Sequence, residues 1–223
     1  MPCDIGYKNY AQIRIPAPAP QEFKSKTEAP KIDADLLKKI GEEDPEFLEW
    51  AKELDTMPLL QEALKRALKK VEVGGVQFSI GKNGYLEAKA TYRNAREQKS
   101  IEKTTETVSR RWQFEILGIV AELLDYTVTM AEKDGVTVLE AEERGKVHPC
   151  KYIKITKGPD EASMTFEHFA SRKEMEIEMG KFLVLAERLG VKIAVVQSVT
   201  SGQPIPGTHT HDHAHAHDHG HDH

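Results

Sequence analysis

Cysteine is nearly absent from this chain. Cys3 and Cys150 are the only two in 223 residues, so at most one disulfide could form and a secreted disulfide framework is excluded. Long apolar runs are missing too: no window reaches the roughly eighteen residues of a membrane span. The N-terminus has no basic stretch followed by an apolar run and a small-residue cleavage site. These absences lead us to expect a cytoplasmic protein with reduced thiols and no membrane partner. There is no excess of positive charge either. The formal charge is −5, and Asp212, Asp218 and Asp222 supply most of it, which leaves the preceding body near neutral. A general electrostatic footprint for nucleic acid is therefore absent, and no nucleic-acid partner is expected. A phosphate-cradling glycine loop, a nucleophile elbow, paired zinc motifs and a metalloprotease helix are all lacking.

Local positive charge does occur, at Arg93, Arg96, Lys99, Lys103, Arg110 and Arg111. Glu97, Glu102 and Glu106 are interleaved with these cations at three- and four-residue spacing, the pattern of a solvated helix face carrying ion pairs.

The chain divides by composition. Residues 1–31 form a proline-rich arm in which Pro16, Pro18 and Pro20 alternate with alanine, favouring extended chain over helix. Within this arm Tyr7, Tyr10, Ile13 and Ile15 suit a short edge strand or docking segment, with a loosely held terminus as the alternative. Residues 32–73 read as helical. Leu36, Leu37 and Ile40 open a short segment; Asp44 then caps a helix with Pro45 at its first position and Phe47, Leu48, Ala51 and Leu54 as its apolar stripe. Thr56 caps a further helix carrying Leu59, Leu60, Ala63, Leu64, Ala67 and Leu68, which Gly74-Gly75 ends. The expected arrangement is an antiparallel helical hairpin.

Residues 76–199 read as an α+β domain whose halves, 76–143 and 150–199, share one order of elements. In the first half Val76 to Ile80 alternates, Lys82-Asn83-Gly84 turns, and Tyr85 to Tyr92 alternates. A long helix then runs from about Glu97 towards Lys133, with Ile101, Val108, Trp112, Ile116, Ile119, Val120, Leu123 and Leu124 inward, and Asp134-Gly135 closes it before a strand from Val136 to Ala141. In the second half Tyr152 to Thr156 alternates, Gly158-Pro159-Asp160 turns, and Ala162 to Phe169 alternates. Ser171 caps a helix with Glu174 three residues on, Gly190 stops it, and Val191 to Val199 forms a strand. The joints Met130 to Val138 and Leu185 to Ile193 also look alike. Two explanations stand: a duplicated ββαβ unit, or convergent use of common turn chemistry. The first gives an antiparallel or mixed sheet with helices on one face.

Residues 200–223 read as a disordered tail. Histidine occupies every second position: His209, His211, His213, His215, His217, His219, His221 and His223. With two alanines for apolar content, the segment cannot recover the entropy of ordering by burial. Neutral imidazole ligates Zn²⁺, Ni²⁺, Co²⁺ and Cu²⁺, and a flexible chain can close small loops to bring three or four imidazoles onto one ion. Nickel or zinc is the foremost expectation. An appended purification tag would be an uninterrupted run, so the regular Asp, Ala and Gly interleaving favours a native tail.

Signals within the body are weaker. His148-Pro149-Cys150 offers an imidazole and a thiol that Cys3 and Asp4 could complete, but a buried structural cysteine is the commoner outcome. His168 is expected to face solvent or to satisfy a hydrogen bond. Glu140, Glu142 and Glu143 suit a solvated strand end, and Trp50 and Trp112 suit core positions. The reading is a non-enzymatic protein that stores or delivers a divalent transition metal through its tail, its body docking a protein partner or a second copy. The rivals are a small enzyme or assembly factor with its chemistry in the body, and an interaction scaffold.

Overall fold

The computed structural model describes residues 8–14, 34–90, 94–147, 150–157 and 162–200. It is an α+β structure. Strand β1 (Lys8–Arg14) precedes helices α1 (Ala34–Glu43), α2 (Pro45–Glu53) and α3 (Thr56–Leu68) and the ribbon β2 (Gln77–Ile80) and β3 (Leu86–Lys89). Helix α4 (Ala95–Leu123) leads to β4 (Tyr126–Lys133), β5 (Val136–Glu143), β6 (Tyr152–Lys157) and β7 (Ala162–Glu167), followed by α5 (Arg172–Arg188) and β8 (Ala194–Thr200).

β4 to β7 form a meander of antiparallel neighbours, and β1 and β8 extend it in the order β4-β5-β6-β7-β1-β8. Alternation decides its two faces. Val128 stands opposite Ala141 and Met130 opposite Leu139; Ala141 and Leu139 in turn meet Ile153 and Ile155, which meet Phe166 and Met164. This face is apolar and covered by helices. The other carries Thr129, Glu140, Lys154 and Thr165 in one cross-strand row.

Helix α4 lies directly on the apolar face. A Cβ at Gly118 would stand 3.0 Å from Met130 Cε and 3.6 Å from Val128 Cγ1, so the missing side chain sets how closely helix and sheet approach. α5 reaches the same face through Phe182, whose ring meets that of Phe166 edge-on at 6.4 Å. On the far side of α4 the buried indole of Trp112 donates to the Leu60 carbonyl at 3.1 Å. Arg66 of α3 forks onto Glu122 at 2.7 and 3.0 Å.

The helix starts follow capping chemistry. Asp44 accepts from the Phe47 N–H at 3.1 Å. Asp55, one residue before the expected Thr56, caps α3 by accepting from the Met57 N–H. Ser171 accepts from the Glu174 N–H, and Glu174 returns the contact to the Ala170 N–H at 2.9 Å. Gly190, at φ +80°, ends α5 where expected, with Val191 N–H bonded to the Ala186 carbonyl at 2.8 Å.

Four expectations need correction. The long helix stops at Leu123, not near Lys133, because Asp125 takes a positive φ of 67° and turns the chain into β4. Asp134-Gly135, with φ 54° and 76°, is accordingly a hairpin turn between β4 and β5, not a helix stop. Second, the two halves do not share one topology: β2 and β3 pair apart from the main sheet, and Met130 to Val138 is a hairpin where Leu185 to Ile193 is a helix end. Third, α2 and α3 do not pack on each other as a hairpin; α3 lies on α4, whereas α1 and α2 lie against α5. Fourth, β1 is an interior strand, paired with both β7 and β8.

The close approach at Gly118 makes a graded prediction. Gly118→Ala should change stability by less than about 1 kcal/mol, since gained helix propensity offsets a push on the flexible end of Met130. Gly118→Leu should cost about 1–3 kcal/mol or more. Urea unfolding of both variants measures the difference.

Candidate functional site

The tail histidines His209, His211, His213, His215, His217, His219, His221 and His223 lie outside the described residues, as do Cys3, Asp4 and His148. Cys150 is described and buried as a free thiol. Among the described residues no group of three or more His, Cys, Asp or Glu side chains is close enough together to hold a metal ion.

Cys150 adjoins a cluster of titratable groups that its sequence neighbourhood did not announce. Its neighbour Lys151 pairs with Glu174 at 2.7 Å and sits 5.8 Å over the Phe169 ring. Glu174 is fixed there by its place in the first turn of α5, and Lys151 by the backbone bond from the Glu143 N–H to the Lys151 carbonyl, 3.0 Å. One turn along α5, the Glu178 carboxyl faces the Tyr126 hydroxyl, although their geometry falls short of a good hydrogen bond. Burial pushes the Glu178 carboxyl above its ordinary value; Tyr126, Lys151 and Lys181 oppose the shift, and Glu174 adds to it. Burial, with the negative charge of Glu178, also pushes Tyr126 upward.

The pairing of a carboxyl whose pKa is raised with a phenol is chemically capable of acid–base work. Access argues otherwise. Tyr126 is 1% exposed and its hydroxyl oxygen is sealed from solvent, so the phenol acts as a buried polar anchor between β4 and α5, with the half-buried Glu178 beside it.

The remaining candidates are paired locally. Glu140 accepts from the Tyr152 hydroxyl at 2.7 Å and pairs with Lys154 at 3.2 Å; these contacts hold its carboxyl below the usual range. His168, at φ 64° just past β7, stands 3.8 Å from Glu167. Trp112 is core, but Trp50 is 40% exposed, its ring against Phe47. On α4, Arg110 pairs with Glu106 as a solvated face requires. Arg111 does not fit that description: its side chain is 11% exposed and bonded at 2.8 Å to Glu115, itself buried.

Among the described residues no helix is long and apolar enough to cross a membrane. Comparison with protein-family models, curated proteins and solved structures finds no match to this chain.

Glu178 generates a pH prediction. A carboxyl whose folded value lies above its unfolded value, near 4.5, binds its proton more tightly in the folded state. Stability is then lost as pH rises from about that value through the folded one, and stays lost above it. Glu178→Gln should raise the melting temperature at pH 7–8, and the gain should shrink to nothing well below pH 4.5. Parallel thermal melts across pH check it; a gain that persists at low pH contradicts this assignment.

Proposed function

We propose that the chain binds a divalent transition metal ion, nickel or zinc, through the alternating histidines from His209 to His223, and that it stores or delivers that ion in the cytoplasm. The single observation that carries this reading is the eightfold repeat of histidine at every second position, interleaved with Asp212, Asp218 and Asp222. Imidazoles at two- and four-residue spacing offer many equivalent ways to supply three or four nitrogen ligands, and the aspartates add oxygen ligands or charge. Redundancy of this kind suits capacity and hand-over more than a single rigid site. The body is then a docking module for a protein partner or a second copy.

The test is calorimetric titration of metal-free full-length protein with Ni²⁺ and with Zn²⁺, beside a variant in which the eight tail histidines are serine. The wild type should bind and the variant should lose stoichiometric binding. Because ligation needs neutral imidazole, wild-type affinity should fall progressively below about pH 6. A stoichiometric site left in the variant would place the metal on the body and sink this reading.

A further inference from the structure

The apolar face of the sheet ends in a polar row. Glu132, Thr137 and Lys157 stand opposite one another across β4, β5 and β6. Each has the parity of the apolar residues before it: Glu132 follows Val128 and Met130, Thr137 precedes Leu139, and Lys157 follows Ile153 and Ile155. These three therefore point to the helix-covered side, where alternation calls for apolar residues. Opposite them α4 presents Thr107, Arg110 and Arg111, and between the two lies a cavity of about 100 Å³ walled on its apolar side by Val71 and Phe114.

Among the described residues the charges in this cleft are balanced except at one position. Arg110 has Glu106. Arg111 has Glu115 at 2.8 Å and, more loosely, Glu132 at 4.0 Å, the latter mostly exposed at the rim. Lys157 is half-buried and, among the described residues, has no carboxylate partner. Burial, with repulsion from Arg110, draws its ammonium below the ordinary lysine value. Holding a cation there is costly unless something neutralises it. The cavity is larger than the roughly 10–15 Å³ a water requires and smaller than the roughly 300–1,000 Å³ of sites that enclose whole organic ligands. Its room suits one compact ion or the end group of a larger molecule. The hydroxyl of Thr137 adds a donor beside the cations, whereas that of Thr107 already donates to the Lys103 carbonyl at 2.9 Å.

We infer that this cleft binds a phosphate-type oxyanion, with Lys157 supplying the unbalanced charge and Arg110 and Thr137 further donors. The inference is independent of the tail.

The test uses full-length protein freed of metal on a chelating resin, at pH 7.5 in chloride buffer, titrated with inorganic phosphate and with phenyl phosphate. Amide NMR spectra report the location of binding. Saturable shifts centred on Arg110, Thr137 and Lys157 are expected with at least one probe. Tighter binding of the ester assigns the cleft to the phosphoryl end of a larger molecule, and tighter binding of inorganic phosphate assigns it to the free ion; either supports the inference. Lys157→Gln should weaken binding at least about tenfold, whereas Lys157→Arg should keep it. Lys157→Met removes the unpaired cation and should melt higher than wild type without phosphate, while losing any rise that phosphate confers. If neither probe gives saturable shifts at the cleft, or if Lys157→Gln binds as tightly as wild type, the inference is overturned.

Discussion

At Gly118 the backbone of α4 meets side chains of β4 and β5 with no side chain of its own between. A Cβ there would stand 3.0 Å from Met130 Cε and 3.7 Å from Leu139 Cδ1. That approach seats α4 on the inner face of the sheet and sets the depth at which Ile116, Leu117, Ile119 and Val120 are buried. It also turns Trp112 and Glu122 away from the sheet, where they receive α3 through the Leu60 carbonyl and Arg66. The sheet and helices α1 to α5 thus share one continuous core. Because α4 is 29 residues long and its sheet-packed part lies towards its C-terminal end, its middle passes over the sheet margin. There Arg110 and Arg111 meet the inward-pointing Lys157.

The elements whose ends carry local chemistry were readable from sequence. Asp44, Ser171 and Gly190 mark helix boundaries by hydrogen bonds made within a few residues, and Asn83-Gly84 marks the β2–β3 hairpin by a positive φ of 77° at Gly84. β4 was hidden because the residue that ends α4 is Asp125, not glycine, and because Val128 and Met130 also continue a helical stripe. Asp134-Gly135 serves a helix stop and a two-residue hairpin equally well as a sequence pattern; only pairing of β4 with β5 decides between them. The apparent internal repeat rested on that ambiguity.

The site residues divide along the same line. The histidine tail is a compositional signal, so its repeat is read from the sequence itself, and its metal binding is a proposal. The Tyr126–Glu178 cluster was not legible, since Tyr126 lay inside the expected helix and Glu178 lies on another element far along the chain. The cationic cleft was half legible. Lys157 has the parity of Ile153 and Ile155, and Arg111 and Glu115 fall on the stripe of Val108, Trp112 and Ile119; each breaks the apolar pattern in a way that period alone reveals. What the sequence lacked was the packing of α4 on β4 and β5 beside the end of β6, which brings the two irregularities together.

Native-state hydrogen exchange of the full-length protein tests the central claim, that α4 holds sheet and helices in one cooperative core, most directly. The amides of Val108 to Ala121 and those of β5 and β6 should exchange only through the same global opening, with matching free energies and matching denaturant dependence. If α4 opened together with α3 while β5, β6 and β7 stayed protected, the sheet would be an independent unit and the account built on Gly118 would be contradicted.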